Sequence, residues 1–505
     1  MTFESILYPP DGVQTQKIMT PPQSFVDLGL DQIVNRISRN CKEMWPFYTP
    51  VQDKATVEYR QGVLRDLEDI TIRRRFAWLA ERLQVFQNQL LAHGLEHLPY
   101  VHSRTLLSVA GQYVSCLQKF CESVSYRDIN SPGLTSFLFY LRQCLSDSRI
   151  VQMRRDIVEL ERRLQKVNYT ILLRDRRLEV ESAGSQVSID VMVEQLFGRF
   201  QQGSRGGGTC LAPAGESDIQ NEDAILSLLA QKHPELFEKF LQFGKKYKEF
   251  IDQKLFQFAS DIQFYIGYLD NTDRIKRLGG AFCYPEIADT WDGCYAKNCF
   301  DLALGIKFVD QQKVPIKNEF SLRGKERIIV ITGPNQGGKT TYARMIGQLF
   351  YLASLGFSIP GNEAAISLSD CVYTHFGKTG KGEASSLRSE LLRLKEILDH
   401  ATGKSLILVN EIFAAVSHSD GVYLGEQMMK GLIALDCMAV CVTFLEELAA
   451  YGPETVSMMS QMLPGGGMER NYKFFRHAPD GQAYALSLAE KKGLTYERIA
   501  ERIKR

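Results

Sequence analysis

Residues 333–340 read Gly333-Pro334-Asn335-Gln336-Gly337-Gly338-Lys339-Thr340. They match G-x-x-x-x-G-K-[ST] at every fixed position, with an apolar β-type run at 328–331 before them and a helical pattern at 341–351 after them. Glycines let backbone N–H groups turn inward onto phosphate oxygens, and the helix N-terminus adds positive potential. The pattern predicts a P-loop for ATP, with Lys339 reaching the β- and γ-phosphates and Thr340 ligating Mg²⁺.

A second apolar run, at 406–409, ends in Asn410-Glu411. A strand that ends in acidic residues usually accompanies a P-loop, and its first polar position normally carries an Asp that holds Mg²⁺. Here that position is the neutral Asn410, whereas Glu411 keeps a carboxylate that suits a general base for an attacking water. A plain buried strand with a surface Glu is the alternative interpretation.

A third segment, Glu383-Ala384-Ser385-Ser386-Leu387, leads into an amphipathic helical pattern. Ser385 and Ser386 stand where a helix N-cap belongs. Leucines then follow at 4-3-4 spacing along one face of the pattern: Leu387, Leu391, Leu394 and Leu398. Taken alone, the segment predicts only a capped structural helix.

The chain changes character near residue 284. From there β-type runs, such as 327–332, 405–409 and 438–443, alternate with helical patterns, which predicts a parallel α/β sheet. From 26 to about 150 the pattern is mostly helical. Two further segments carry heptad-type apolar seams: Met153, Ile157, Leu160, Leu164 and Val167 in the first, and Ile251, Leu255, Phe258, Ile262 and Tyr265 in the second.

Matching seams favour an antiparallel pair of long helices, in which one helix runs outward from the rest of the protein and the other runs back. Ordinary core helices of a bundle are the alternative. Between the seams, 169–181 predicts a short hairpin with a basic turn, and the Gly/Ser-rich stretch 201–223 predicts a mobile loop. We therefore expect a multidomain chain: a lead-in at 1–25, a helical core and outgoing lever at 26–167, a small clamp-like tip at 168–232, a returning lever helix at 233–283, and a P-loop ATPase domain at 284–505.

Charge and cysteine content narrow the class of protein only slightly. The 505 residues carry 60 Lys+Arg and 59 Asp+Glu, a net charge of +1, which neither demands nor excludes nucleic acid. The 11 cysteines form no pair with zinc-site spacing, which favours reduced thiols. The N-terminus lacks the pattern of a signal peptide, and no apolar run approaches the ~20 residues that span a bilayer. We expect a cytoplasmic protein without a membrane partner.

Together the three motifs resemble those of the MutS family of DNA mismatch-repair ATPases, an ABC-type branch of the P-loop proteins. Residues 332–341 look like the family's TGPNMGGKST motif. His375, Ser385-Ser386-Leu387 and Glu390 fall in a stretch similar to its TRIGA…STF..E signature, and Asn410-Glu411-Ile412 is similar to its DEI. Asp420-Gly421 and 481–494 also match, and the resemblance is weaker before residue 325. It implies an α-helical core and lever with a small β-containing clamp tip, followed by an ABC-type α/β ATPase domain.

The resemblance also implies roles for particular residues. The signature serines, Ser385 and Ser386, would reach across a homodimer interface to the partner's γ-phosphate, giving two composite ATP sites. Asn318 would lie in the loop that contacts the adenine. The implied nucleotide-binding set is Gly333, Pro334, Asn335, Gln336, Gly337, Gly338, Lys339, Thr340, Thr341, Asn318, Ser385 and Ser386. The implied metal set is Thr340, Asn410 and Glu411, and the implied catalytic residues are Glu411 and Lys339.

Departures from the family pattern lower the expected rate of hydrolysis. Asn410 replaces the Mg²⁺-associated Asp, and Phe444 stands where the family has a switch His that senses the γ-phosphate. Residues 413–416 replace a polar GRGT segment. ATP binding is expected to survive, because the P-loop is intact. Only about 25 residues precede the core, so direct mismatch reading is not expected.

Two functional hypotheses follow. The first is a DNA-binding ATPase of repair or recombination that clamps duplex or branched DNA in an ATP-dependent dimer. The second is an ATP-gated dimerisation module that acts on protein partners with weak or no hydrolysis. The basic turn of the hairpin, with Arg174, Arg176 and Arg177, favours the first, although a solvated turn is the simpler interpretation. The altered catalytic motifs favour the second.

Overall fold

The structure is a computed structural model. It describes residues 3–10, 12, 22–91, 98–174, 177–182, 216–334, 336–377, 387–413, 416–462, 470–478, 496, 498 and 499.

The described residues of the first half of the chain form helices and one hairpin. Asp53 and Asp147 each cap a helix, because their carboxylates accept backbone N–H groups of the first turn. The elements, in chain order, are α1 (Gln23–Asp27), α2 (Leu30–Ile37), α3 (Lys54–Glu68), α4 (Ile70–Leu91), α5 (Pro99–Ser123), α6 (Pro132–Ser146), α7 (Ser148–Leu164), β1 (Tyr169–Arg174), β2 (Arg177–Ser182), α8 (Glu216–Lys232), α9 (Pro234–Lys246) and α10 (Gln253–Arg277).

Strands alternate with helices in the second half. In chain order the elements are β3 (Phe282–Cys283), β4 (Glu286–Ala288), β5 (Tyr295–Cys299), α11 (Leu302–Val309), β6 (Asn318–Ser321), β7 (Ile328–Thr332), α12 (Lys339–Ser354), β8 (Ile359–Pro360), β9 (Glu363–Ser367), β10 (Val372–Phe376), α13 (Leu387–His400), β11 (Leu406–Asn410), α14 (His418–Leu435), β12 (Met438–Val442), β13 (Thr455–Met462) and β14 (Arg470–Arg476).

The main sheet of the described residues has the strand order β10-β11-β12-β7-β13-β14. Its first five strands are parallel, and only β14 runs antiparallel, against β13. β7, β11 and β12 are buried along their whole length, as expected of strands covered on both faces. The predicted parallel α/β sheet is therefore confirmed. A smaller sheet has the order β4-β9-β5-β6.

The chain divides into two compact units. Unit 1 comprises Met1–Phe3, Arg74–Ile129 and Thr135–Ser260; unit 2 comprises Glu4–Arg73, Asn130–Leu134 and Asp261–Arg505. The core of unit 1 is aromatic, with the rings of Phe137 and Phe258 stacked at a centroid distance of 3.7 Å.

The P-loop helix α12 is held by the N-terminal segment of unit 2. The Gln348 amide donates to the carbonyl of Leu28 at 2.8 Å, and the Tyr351 hydroxyl donates to that of Tyr48 at 2.6 Å. Fully buried Arg60 donates to the carbonyls of Leu7 and Leu355, at 2.9 and 3.3 Å. These bonds fix the helix that carries Lys339 at its first turn.

Three predictions for residues before 284 differ from the structure. Val167 follows the end of α7, and Ile251 precedes α10 because Asp252 caps that helix, with its carboxylate 2.7 Å from the N–H of Lys254. The predicted mobile loop extends too far, since residues 216–223 belong to α8, which contains neither Gly nor Pro. Residues 201–215 lie outside the described part of the chain. The predicted hairpin is present as β1 and β2.

The first seam is buried within unit 1. α7 buries Met153, Ile157 and Leu160 and packs within unit 1 against α5 and α9. For α7, the alternative of an ordinary bundle helix is the one that the packing favours, because an apolar seam specifies that a helix face is buried but does not specify its partner. The domain boundaries drawn from the sequence remain a proposal.

Candidate functional site

The P-loop lies between the carboxyl end of β7 and the start of α12. Its backbone enters the left-handed region at Gln336 and Gly338, with φ of 59° and 89°. A Cβ added at Gly338 would approach the Tyr472 ring to 3.2 Å, so the backbone geometry and the close neighbour both favour glycine. Gly337, in the same loop, is buried. Asn335 lies outside the described residues.

Lys339 is enclosed by its own loop. Its side chain is buried, and its ammonium donates to the carbonyls of Gly333 and Pro334 at 2.9 and 3.2 Å. Burial lowers the pKa of Lys339, and the carboxylate of Glu411, 3.9 Å away, partly opposes that effect. A buried ammonium whose closest partners are neutral carbonyls favours an incoming anion, because the anion would restore the charge compensation lost with water.

The predicted metal-site residues meet beside this lysine. Thr340 donates its hydroxyl to the amide oxygen of Asn410 at 3.0 Å, so the first helical turn of α12 is tied to the end of β11. Glu411 follows with a left-handed φ of 54°, and so does Phe413, with 60°. Non-glycine residues in this region are strained, and such strain is frequent at functional sites.

Helix α13 contacts the loop that follows β11. Glu390 on α13 is buried, and its carboxylate accepts the backbone N–H of Phe413 at 3.3 Å. The described part of α13 begins at Leu387. Ser385 and Ser386 themselves lie outside the described residues.

A cavity of about 1060 Å³ adjoins the P-loop. Its lining includes Gln336, Gly338, Lys339, Thr340, Thr341 and Glu411. Asn318 lines it too, at the start of β6, and is fixed by β14: its amide donates to the carbonyl of Tyr472 at 3.1 Å and accepts from the N–H of Phe474 at 2.9 Å. The structure thus brings Asn318 to the same cavity as the P-loop.

The apolar part of the cavity lining was not predicted from the sequence. It comprises Phe308, Val314, Pro315, Ile316, Tyr472 and Phe474. Two signals were present in the sequence: the alternation of Tyr472 and Phe474 along β14, and the apolar run 314–316. Neither shows which residues face one another. An apolar recess beside a phosphate-type cradle suits a planar heterocyclic base.

Comparison with protein families agrees with this geometry. The family model described as MutS domain V matches residues 329–501, which include β7, the P-loop, Glu411 and β14. The second half of this chain contains a MutS domain V. The match begins inside the first strand of the P-loop motif and includes every element of the main sheet that is described above.

Two curated relatives of the MutS family illustrate the extent of the similarity. Endonuclease MutS2 of Thermus thermophilus is 28% identical over 186 residues, which are 36% of this chain and 25% of that protein. DNA mismatch repair protein MutS of Thermosipho melanesiensis is 30% identical over 237 residues, 45% of this chain and 27% of that protein. The chain thus spans about a quarter of the length of these relatives. No helix in the described part of the chain combines the length and apolar character needed to cross a membrane.

Proposed function

We propose that this chain, as a MutS-family protein, binds ATP with Mg²⁺ in the P-loop cavity, hydrolyses it slowly, and uses the cycle to act on DNA as a homodimer in repair or recombination. The observation that carries the proposal is that Lys339, Thr340 and Glu411 line one large cavity, with Asn410 hydrogen-bonded to Thr340 beside it. The family match adds the context of DNA repair, since the two relatives are named as an endonuclease and a mismatch repair protein.

Each residue has a role that its surroundings support. Lys339 would exchange its bonds to Gly333 and Pro334 for phosphate oxygens. Thr340 and Asn410 present a hydroxyl and an amide oxygen, which suit a hard cation. Glu411, a half-buried carboxylate, would orient a water and accept its proton. Mg²⁺, when bound, would neutralise part of the charge on the phosphates.

The base would occupy the apolar recess. Asn318 is held by two bonds to β14, so its position is set before any ligand arrives. Such preorganisation reduces the entropy lost on binding. In this proposal Ser385 and Ser386 complete the site from the partner subunit, through a contact with the γ-phosphate.

Slow hydrolysis follows from two substitutions. Asn410 has no charge with which to hold the hydrated cation, and Phe444 has no hydrogen-bonding group for a phosphate. These substitutions also favour the second candidate function, in which ATP gates dimerisation for a protein partner. In both functions the nucleotide cavity is the same, and they differ in the partner.

The decisive experiment is ATP binding and ATPase activity measured on the full chain, alone and with linear, mismatched or branched DNA. We expect Mg²⁺-dependent ATP binding, turnover that is slow without DNA, and DNA affinity at low salt. Lys339→Ala is the control, with an expected loss of roughly 10- to 100-fold in ATP affinity from lost charge-assisted bonds. Absence of ATP binding would overturn the nucleotide proposal. Absence of DNA affinity with intact ATP binding would favour the protein-partner function.

A further inference from the structure

A groove on unit 1, far along the chain from the P-loop, has the character of a phosphate-binding surface. It has a volume of about 540 Å³ and is formed by α4, α5 and α7. Each helix contributes one cation: Arg82 from α4, Lys119 from α5 and Arg154 from α7. All three side chains are exposed. Glu161 is the acidic residue of the lining, so the groove carries a net charge of +2 in a chain whose total is +1.

The three cations are not neutralised by the described part of the chain. None of them forms an ion pair there, whereas other charges on and around α7 are paired. Lys246 lies 2.9 Å from Asp156, and Lys239 lies 3.6 Å from Glu159. Asp156 and Glu159 of α7 are thus used toward α9, and the groove side, with Glu161 alone against three cations, is left with excess positive charge.

The helices converge closely at the groove. A Cβ added at Gly111 of α5 would lie 3.7 Å from the Ile157 side chain and 3.5 Å from the Glu161 carboxylate, so α7 packs directly on this glycine. The positive charges of Arg82 and Lys119 lower the pKa of the buried Cys116 thiol at the groove wall. Burial has the larger effect and raises that pKa to about 11. The two cations therefore lie near the same point of α5, and Cys116 stays a neutral thiol.

Trp78 of α4 completes the lining with a half-buried indole. Cationic side chains that follow a backbone, together with an aromatic surface for a base, are the features by which proteins hold single strands. A groove of this volume is in the range of sites that hold a small ligand, about 300–1,000 Å³, which suits one strand better than a duplex.

We propose that this groove binds a single-stranded segment of nucleic acid, with phosphates at Arg82, Lys119 and Arg154 and a base against Trp78. The inference rests on the proposed DNA-acting function, but it places the contact on the helices of unit 1. The hairpin turn is the competing location suggested by the sequence. The two locations predict different effects of substitution.

The test is binding of a fluorescent oligo-dT strand to the full chain across a range of salt concentrations. Each phosphate contact to a single strand contributes a slope of about 0.7 in log K against log salt. The triple variant Arg82→Gln/Lys119→Gln/Arg154→Gln should therefore lower the slope by roughly 2. Trp78→Leu should weaken binding roughly 5- to 100-fold with an unchanged slope, because stacking involves no counterion release.

Matched controls separate the groove from general charge. Arg155 is exposed on the same helix but does not line the groove, so Arg155→Gln should bind as the parent does, whereas Arg154→Gln should bind less tightly. Arg174→Gln/Arg177→Gln tests the hairpin. All groove variants should keep the parent's melting temperature and ATP affinity.

The outcomes are distinguishable. If oligo-dT and duplex bind but the groove variants match the parent, the groove inference is wrong and the proposed function stands. If only the hairpin variant loses affinity, the contact lies there instead. If inorganic phosphate or thymidine monophosphate competes at low concentration, the groove is a mononucleotide site and the strand proposal is overturned. If the full chain binds neither strand nor duplex at low salt, both proposals fail.

Discussion

The ammonium of Lys339 lies 4.3 Å from the centroid of the Phe444 ring. Phe444 is 45% exposed, and the same ammonium donates to the carbonyls of Gly333 and Pro334. A cation over an aromatic face is stabilised by about 0.5–1 kcal/mol at a partly exposed site. Phe444 lies two residues after the end of β12. Its ring contacts the P-loop lysine, although it cannot hydrogen-bond to a phosphate.

Replacing Phe444 should change ATP affinity. Phe444→Leu keeps an apolar side chain but removes the aromatic face, so the ligand-free position of Lys339 loses that stabilisation. We expect ATP to bind roughly two- to fivefold more tightly, measured by calorimetric titration. Phe444→Tyr retains the ring and should stay within about twofold of the parent. Weaker binding by the Leu variant would show that the ring supports the bound state instead.

Asn410→Asp should restore a charge beside the metal position. Its carboxylate can still accept the Thr340 hydroxyl, so the local geometry is kept. Groups that hold a metal through its outer shell typically alter metal affinity 10- to 100-fold. We therefore expect half-maximal ATPase activity at roughly 10- to 100-fold lower Mg²⁺, with faster turnover. An unchanged Mg²⁺ requirement would place the cation elsewhere, and Asn410→Ala serves as the control without charge.

Ser386→Ala tests the proposed composite site. If this serine contacts the partner's γ-phosphate, the variant should bind ATP normally as a monomer but dimerise less in its presence. Sedimentation with ATP and with ADP measures the effect, and loss of one charge-assisted bond predicts a roughly tenfold weaker ATP-driven dimer. Equal loss of binding and dimerisation would contradict a role across the interface. Ser389→Ala, two residues into α13, is the control.

His375 should make the protein less stable in acid. Burial lowers its pKa, Glu390 and Asp27 act in the opposite direction, and Arg393 lowers it further. Its Nε2 is buried without a hydrogen-bond partner among the described residues. Because the folded pKa lies below the unfolded value of about 6.5, the unfolded chain binds the proton first as the pH falls. The stability is complete above that value and is lost progressively below it.

Urea unfolding at pH 7.5 and 5.5 measures this effect. We expect the free energy of unfolding to fall with pH in the parent and to fall less in His375→Gln, which cannot take up a proton. Asp27, whose pKa burial raises, is present in both proteins, so only its smaller interaction with His375 enters the difference. The same pH dependence in both proteins would show that His375 does not contribute.

The sequence predicted which residues lie together where those residues are close to one another in the chain. The glycines, Lys339 and Thr340 are fixed by their spacing within one strand–loop–helix unit, and Glu411 follows directly from a buried strand. The register of parallel strands then brings β7 and β11 to the same edge of the sheet. For these residues, local pattern and sheet geometry point to the same arrangement.

Contacts between distant segments were not predictable in this way. The Phe444 ring reaches Lys339 only because β12 lies beside β7, and Tyr472 reaches Gly338 only because β14 turns antiparallel at the sheet edge. The seam of α7 likewise specified burial without specifying a partner. Periodicity describes one element at a time, whereas these contacts depend on how elements are ordered in space.

The bonds between α12 and the N-terminal segment of unit 2 bear on how the P-loop region can be isolated. A fragment cut at residue 284 would retain the P-loop but lose Leu28, Tyr48 and Arg60. The buried Tyr351 hydroxyl would lose its acceptor, and the Gln348 amide would keep only its bond to Asp301. Each orphaned polar group costs about 1–3 kcal/mol. The smallest autonomous nucleotide-binding piece is therefore discontinuous in sequence. Because the segments of unit 1 interrupt those of unit 2 along the chain, such a piece has to join residues from before and after unit 1.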